Sequence, residues 1–121
     1  MNKTIKTRAG NLHLYDNYII AEVNEGETVT TLYADIITDL GNTHYKSKPF
    51  IYISNRINSY AVDPIVYKKT SEIESLIGFA IVSKKRIALR NTEIESLFSS
   101  KPLKLFTNLE DAITWIKSII N

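Results

Sequence analysis

The densest cluster of charge in the chain is Lys84-Lys85-Arg86, with Arg90 one helical turn further on. Cationic side chains this close together could hold an anion, either a phosphate group on a small molecule or an acidic patch on a partner. As a plain charge run they would be a solvated face. Two histidines, His13 and His44, could bind a metal only if the fold brought them together with carboxylates. His13 alternates with leucines and reads as a solvent-facing strand residue. His44 falls in a polar stretch, so no metal site is expected. Asp35 and Asp39 are four apart, and paired carboxylates can do acid–base work. They lie away from the Leu32/Ile36 stripe and read as a solvated helix face.

The chain has no cysteine, which excludes disulfides, thiol catalysis and cysteine-bound zinc or iron–sulfur clusters. No Gly-x-Ser-x-Gly elbow is present, and the four glycines form no phosphate-cradling loop. No catalytic motif is left, so a non-enzymatic protein without a cofactor is expected. Seven tyrosines are many for a small core. Tyr15, Tyr45, Tyr60 and Tyr67 fall in loops, at strand ends or at a helix start, where tyrosine serves interfaces and pockets. Ordinary half-buried packing is the simpler account of them.

A length of 121 residues, 44% of them hydrophobic, suits one domain with a real core. The net charge of +2 is too small to imply nucleic-acid binding. No window approaches the roughly 18 apolar residues of a membrane span. Met1 to Lys6 lacks the apolar run of a signal peptide, so a cytoplasmic protein is expected.

The elements that must position these residues can be read in order. Thr4 to Ala9 predicts a weak edge strand, Leu12 to Tyr15 a second, and Tyr18 to Val23 a strong third. Gly10-Asn11 and Asp16-Asn17 supply turns, giving an antiparallel meander. Asn24 and Glu27 have capping-box spacing. Val29, Leu32, Tyr33, Ile36, Ile37 and Leu40 then predict a helix that Gly41 closes. Asn42 to Pro49 reads as a polar loop and Phe50 to Ile53 as a buried strand. After the loop Asn55 to Tyr60, Asp63-Pro64 starts a helix running to about Leu76. Phe79 to Val82 is a further buried strand. Ser83 is read as the cap of a helix whose apolar stripe is Ile87, Ala88, Ile94, Leu97 and Phe98. Pro102 precedes a last strand ending at Phe106. Asn108 caps a closing helix with Glu110 and Asp111 in its first turn and Leu109, Ala112, Ile113, Ile116 and Ile120 as its stripe, Trp115 at the edge.

This order predicts an α/β single domain. The meander leads into alternating strand–helix units, giving a mixed sheet with about four helices and right-handed crossovers. The order, with Leu105-Phe106-x-x-x-Glu110-x-Ala112-x-x-Trp115-Ile116 and, more weakly, Gly78-Phe79-Ala80-Ile81-Val82, resembles the SpoIIAA-like group. That group includes STAS domains (anti-sigma-factor antagonists) and related small bacterial proteins of unknown role. The resemblance implies a regulatory or protein-interaction module. Phosphoswitch STAS domains carry a serine in an Asp-Ser-Ser/Thr-Gly type motif after a central strand. Here the corresponding loop is Ser54-Asn55-Arg56-Ile57-Asn58-Ser59-Tyr60, with no acidic residue or glycine beside either serine. The phosphoserine does not carry over, and Ser59 is a candidate by position alone. The related CRAL-TRIO lipid-transfer domains suggest an alternative, a small-molecule or lipid-binding protein with an apolar pocket between helices and sheet.

Ligands of open α/β sheets gather beyond the carboxyl ends of the parallel strands. If the last three strands are parallel neighbours, one rim collects Ser54, Asn55, Arg56 and Ser59, then Ser83, Lys84, Lys85 and Arg86, then Thr107 and Asn108. This rim is expected to meet a protein partner or a small anionic ligand. A homodimer is also expected, because the weakly patterned first strand leaves an edge to cover.

Overall fold

The computed structural model describes residues 3–120; Met1, Asn2 and Asn121 lie outside the described residues. The strands are β1 (Lys3–Lys6), β2 (Gly10–Leu14), β3 (Tyr18–Val23), β4 (Thr28–Val29), β5 (Phe50–Asn55), β6 (Ala61–Val62), β7 (Leu76–Val82) and β8 (Leu103–Phe106). The helices are α1 (Thr31–Thr43), α2 (Ile65–Thr70), α3 (Ile87–Ser96) and α4 (Leu109–Ile119). The main sheet has six strands in the order β1-β2-β3-β5-β7-β8. β1, β2 and β3 form the antiparallel meander, and β3, β5, β7 and β8 are parallel. The mixed α/β architecture is therefore the one its strand–helix alternation predicts.

Strand residues alternate between two cores, as a period of two requires. On one face Leu12, Leu14, Ile19, Ala21, Tyr52, Phe79 and Ile81 pack against Tyr33, Ala34, Ile37 and Leu40 of α1 and Val66 and Tyr67 of α2. On the other, Ile20, Ile51, Ile53, Ala80 and Val82 meet Ala112 and Ile116 of α4. Fully burying one such aliphatic side chain contributes about 1.5–3 kcal/mol. β5 lies between two parallel neighbours with Phe50 to Ser54 buried, the pattern of a strand covered on both faces.

Several helix boundaries differ from the sequence reading, each for a local reason. α1 does not begin at Asn24. Gly26 takes φ +79, and the next residues, Thr28–Val29, enter a short parallel ladder with Ala61–Val62. Thr30 is the N-cap instead. The inward stripe is Tyr33, Ala34, Ile37 and Leu40, which leaves Leu32 and Ile36 exposed. Gly41 is buried inside α1 rather than ending it, because a Cβ there would stand 3.0 Å from Ile73 Cγ2. The chain reverses at Lys46 and Ser47, whose φ values are 48° and 75°. Tyr45, expected in a polar loop, is buried and stacked on Phe50 at 4.2 Å. α2 stops at Thr70, and Leu76 opens β7 opposite Phe50.

α3 departs most. Ser83 stays outside the helix, which begins at Ile87. Its buried side is Ala88, Thr92 and Glu95, so Ile87, Ile94, Leu97 and Phe98 are exposed rather than core. α4 follows its pattern closely. The Asn108 side chain accepts the Asp111 N–H at 2.9 Å, and Ala112 and Ile116 are buried. Ile120 ends the helix as an extended residue but still packs against the same cluster.

Candidate functional site

β5, β7 and β8 are parallel neighbours, so their carboxyl ends share one rim. β5 delivers Ser54 and Asn55 to it, and the Arg56 N–H then bonds the Val82 carbonyl at 2.9 Å. From there the Arg56 side chain turns inward. Its Nε donates to Ser54 Oγ at 3.1 Å, Nη1 to Glu95 Oε2 at 3.0 Å, and Nη2 to Glu95 Oε1 at 2.5 Å. Nη2 also lies 2.9 Å from the Tyr67 hydroxyl, which donates to Glu95 Oε1 at 2.5 Å. The guanidinium lies over the Tyr60 ring, 5.7 Å from its centroid, and the Tyr60 hydroxyl is 2.6 Å from Ser54 Oγ.

These contacts set the electrostatics. Burial by itself would lower the Arg56 pKa, but Tyr67 and Glu95 hold it above its ordinary value. Burial raises the Tyr60 and Tyr67 hydroxyls. Arg56 is thus a permanent cation already spent on an internal carboxylate. Its expected role as free positive charge on the rim is corrected accordingly. Ser54 is likewise buried, beneath Tyr60 and Arg56.

Above this pair runs a groove between the Asn58–Tyr60 loop and α3. It has two recesses that share Arg56, Tyr60 and Asn91. One, of about 350 Å³, extends past Val62 and Pro64 to Ile94. The other, of about 140 Å³, extends past Ser59 and Ser83 to Lys85 and Ile87. In the second, Lys85 Nζ donates to Ser59 Oγ at 2.6 Å, and the Lys85 N–H bonds Ser83 Oγ at 3.2 Å. Lys84, Arg86 and Arg90 are exposed, and among the described residues none of them has an ion-pair partner. Lys84 and Lys85 precede α3 and Arg86 is its N-cap, so they stand before the first turn rather than in it.

The third strand end contributes least. Thr107 is exposed, and the Asn108 side chain is occupied in capping α4. The groove thus gathers Arg56, Ser59, Ser83 and Lys85, with Ser54 buried beneath it and Thr107 and Asn108 outside its lining. Asn55 points elsewhere, donating to Glu22 Oε2 at 3.2 Å. That contact closes a chain across four strands. Glu22 Oε1 accepts from His13 Nε2 at 3.0 Å, and His13 Nδ1 lies 3.0 Å from the Thr4 hydroxyl. His13 is therefore half-buried in a polar ladder on the sheet. Among the described residues, no three histidine or acidic side chains gather as metal ligands.

Sequence reasoning missed Glu95, and singled out Tyr67 only among the tyrosines suited to interfaces and pockets. Glu95 was hidden inside an apparent apolar stripe. The available signal was its spacing from Ala88 and Thr92, seven and three residues, which puts all three on one helix face.

No family model matches the chain, and no curated protein matches it either. Among solved structures it is similar to an uncharacterized protein of the DUF3478 family with a SpoIIAA-like fold, from Shewanella loihica PV-4. The two share 12% identity over 96% of this chain and 92% of the other, at a TM-score of 0.53. The chain has a SpoIIAA-like fold. At that identity the likeness speaks for the fold alone. No helix among the described residues is long and apolar enough to cross a membrane.

Proposed function

We propose that this SpoIIAA-like chain is a non-enzymatic, STAS-like protein-interaction module that presents its C-terminal rim to a protein partner. The observation that carries this reading is where the apolar surface lies. Of nine exposed large hydrophobic side chains among the described residues, five fall between Ile87 and Phe98, and two of these, Ile87 and Ile94, line the groove. Concentrated apolar surface rimmed by charge is the mark of an interaction site. Neither Ser54 nor Ser59 has the acidic residue and glycine of the phosphoswitch motif beside it.

The lipid-pocket alternative is less well supported. Between α1, α2 and the sheet, the space lined by Tyr33, Tyr52, Tyr67 and Phe79 amounts to about 20 Å³. That holds a water molecule, whereas ligand pockets run to roughly 300 Å³ or more. A second reading keeps one specific observation. The 140 Å³ recess with Lys85, Ser59 and Ser83 could seat a small anion.

Placing a photo-crosslinking residue at Asn58 and, as a control at the far end of the sheet, at Thr38 tests the interaction reading in living cells. Discrete protein adducts from Asn58 and none from Thr38 are expected. Absence of adducts, with a retained small molecule in native mass spectrometry, would turn the assignment to ligand binding. Titration with inorganic phosphate, followed by NMR at Ser59, Ser83 and Lys85, decides the small-anion version.

A further inference from the structure

α3 is the helix the core uses least. Of its three buried residues, Thr92 and Glu95 are polar. Glu95 is held by Arg56 and Tyr67, and the Thr92 hydroxyl is buried without a partner. The outward side carries apolar residues instead. Ile87 and Ile94 are seven apart and face the same way, and Leu97 continues the surface at 83% exposure. Beside Ile94 opens the 350 Å³ recess floored by Arg56 and Glu95.

Charge selects the occupant. Lys84, Arg86 and Arg90 have no ion-pair partner among the described residues, and the N-terminal end of α3 adds its own partial positive charge. Glu93 is the one exposed acid on the helix. A second copy placed α3 to α3 would offer these cations one exposed carboxylate on the helix, Glu93, alongside three cations of its own, a poor electrostatic match. The chain's own acidic depression, with Asp35, Glu72 and Glu74, lies where β5 and β7 begin, at the opposite end of the sheet. A copy docking through it would join head to tail and leave the assembly open. A bilayer would present a flat surface and leave the recess unfilled, whereas a protein can send a side chain into it.

We infer that the outer face of α3 docks an acidic amphipathic helix of a partner protein. Its apolar side lies on Ile87, Ile94 and Leu97, and one anchor side chain enters the recess beside Tyr60. Its carboxylates meet Lys84, Arg86 and Arg90. This names the partner class for the interaction reading above and rests on it.

The test uses three probes against the isotope-labelled protein. These are a helical peptide with leucines on one side and glutamates on the other, the same peptide with lysines for glutamates, and vesicles of phosphatidylcholine with phosphatidylserine. The glutamate peptide is expected to shift amides of α3 and of the Tyr60 loop and to bind at least about tenfold more tightly than the lysine peptide. Ile94→Ser with Leu97→Ser should weaken it by about tenfold or more without moving the urea midpoint, since both side chains are exposed. Charge reversal at Lys84, Arg86 and Arg90 should invert the peptide preference. Equal binding of the two peptides, shifts away from α3, or binding to vesicles alone overturns the proposal. Silent peptides with Asn58 adducts intact remove only this assignment; silent peptides without adducts remove the interaction reading too.

Discussion

Arg56 and Glu95, 39 residues apart, meet through two N–H···O contacts of 3.0 and 2.5 Å, with only 12% and 7% of their side chains exposed. The pair ties the loop after β5 to a helix that has little apolar purchase of its own. Tyr67 and Ser54 satisfy the remaining polar atoms, the condition under which a buried pair is tolerated.

Removing one partner strands the other. Arg56→Ala or Glu95→Ala should each cost about 3–5 kcal/mol in urea unfolding. Arg56→Met with Glu95→Leu and Tyr67→Phe should recover most of that loss, because the desolvation of both charges is relieved and the buried Tyr67 hydroxyl, whose partners they were, is removed with them. A triple variant as unstable as the singles would show that the pair's role is not electrostatic.

Thr92 offers the opposite case. Its hydroxyl is buried with no hydrogen-bond partner, so it carries a desolvation cost without compensation. Thr92→Val keeps the shape and should raise stability by about 1 kcal/mol. A loss of stability would mean that the hydroxyl is satisfied by an ordered water.

How legible these features were depends on whether the cause is local. Asn108 and Asp111 announce the start of α4 because a cap is made within one turn. Tyr18–Val23 and Leu103–Phe106 are bounded by turns and proline, and the strand–helix alternation sets their parallel order. Glu95 and Thr92 could not be placed that way. Their burial is imposed by Arg56 and by the way α3 seats on the sheet, contacts far away in sequence. Asn24 and Glu27 misled for the same reason. The capping spacing is present, but a ladder between Thr28–Val29 and Ala61–Val62 overrides it. The rim residues were named from strand order, and strand order alone cannot distinguish Arg56, turned inward, from Arg86, turned out.

Trp115 reads the packing of the closing helix. Its ring stands 5.5 Å from that of Phe106 and touches the space above Gly78, where a Cβ would lie 3.4 Å from Trp115 Cη2 and 3.2 Å from the Pro102 carbonyl. Since the ring is half-buried, Trp115→Ala should cost about 2–4 kcal/mol, at or below the range for buried aromatics. Gly78→Ala should cost about 1–3 kcal/mol by overpacking the same contact. A change below roughly 1 kcal/mol for Trp115→Ala would show that α4 is held by its other apolar residues, Ala112 and Ile116 foremost.

The buried tyrosines set the alkaline limit of the fold. Burial raises Tyr33, Tyr45, Tyr52 and Tyr67 above their ordinary value of 10.0. Three of these hydroxyls are used as protonated donors: Tyr45 to the Tyr15 and Tyr18 carbonyls, Tyr52 to Tyr33, and Tyr67 to Glu95. A folded pKa raised above the unfolded one contributes stability that is complete below the unfolded value and is lost as pH rises towards the folded one. The unfolded chain releases these protons near pH 10 while the folded chain keeps them, so unfolding gains free energy from about pH 10 upward. Each such tyrosine should contribute a slope of about 1.4 kcal/mol per pH unit. Urea unfolding at stepped pH should therefore be flat below about pH 9 and fall steeply above about pH 10. Tyr52→Phe should lower that slope by one tyrosine's share, since it deletes a proton that the folded state alone retains. An unchanged slope in Tyr52→Phe, or phenolate absorbance appearing for these residues before the chain unfolds, would contradict the burial assigned to them.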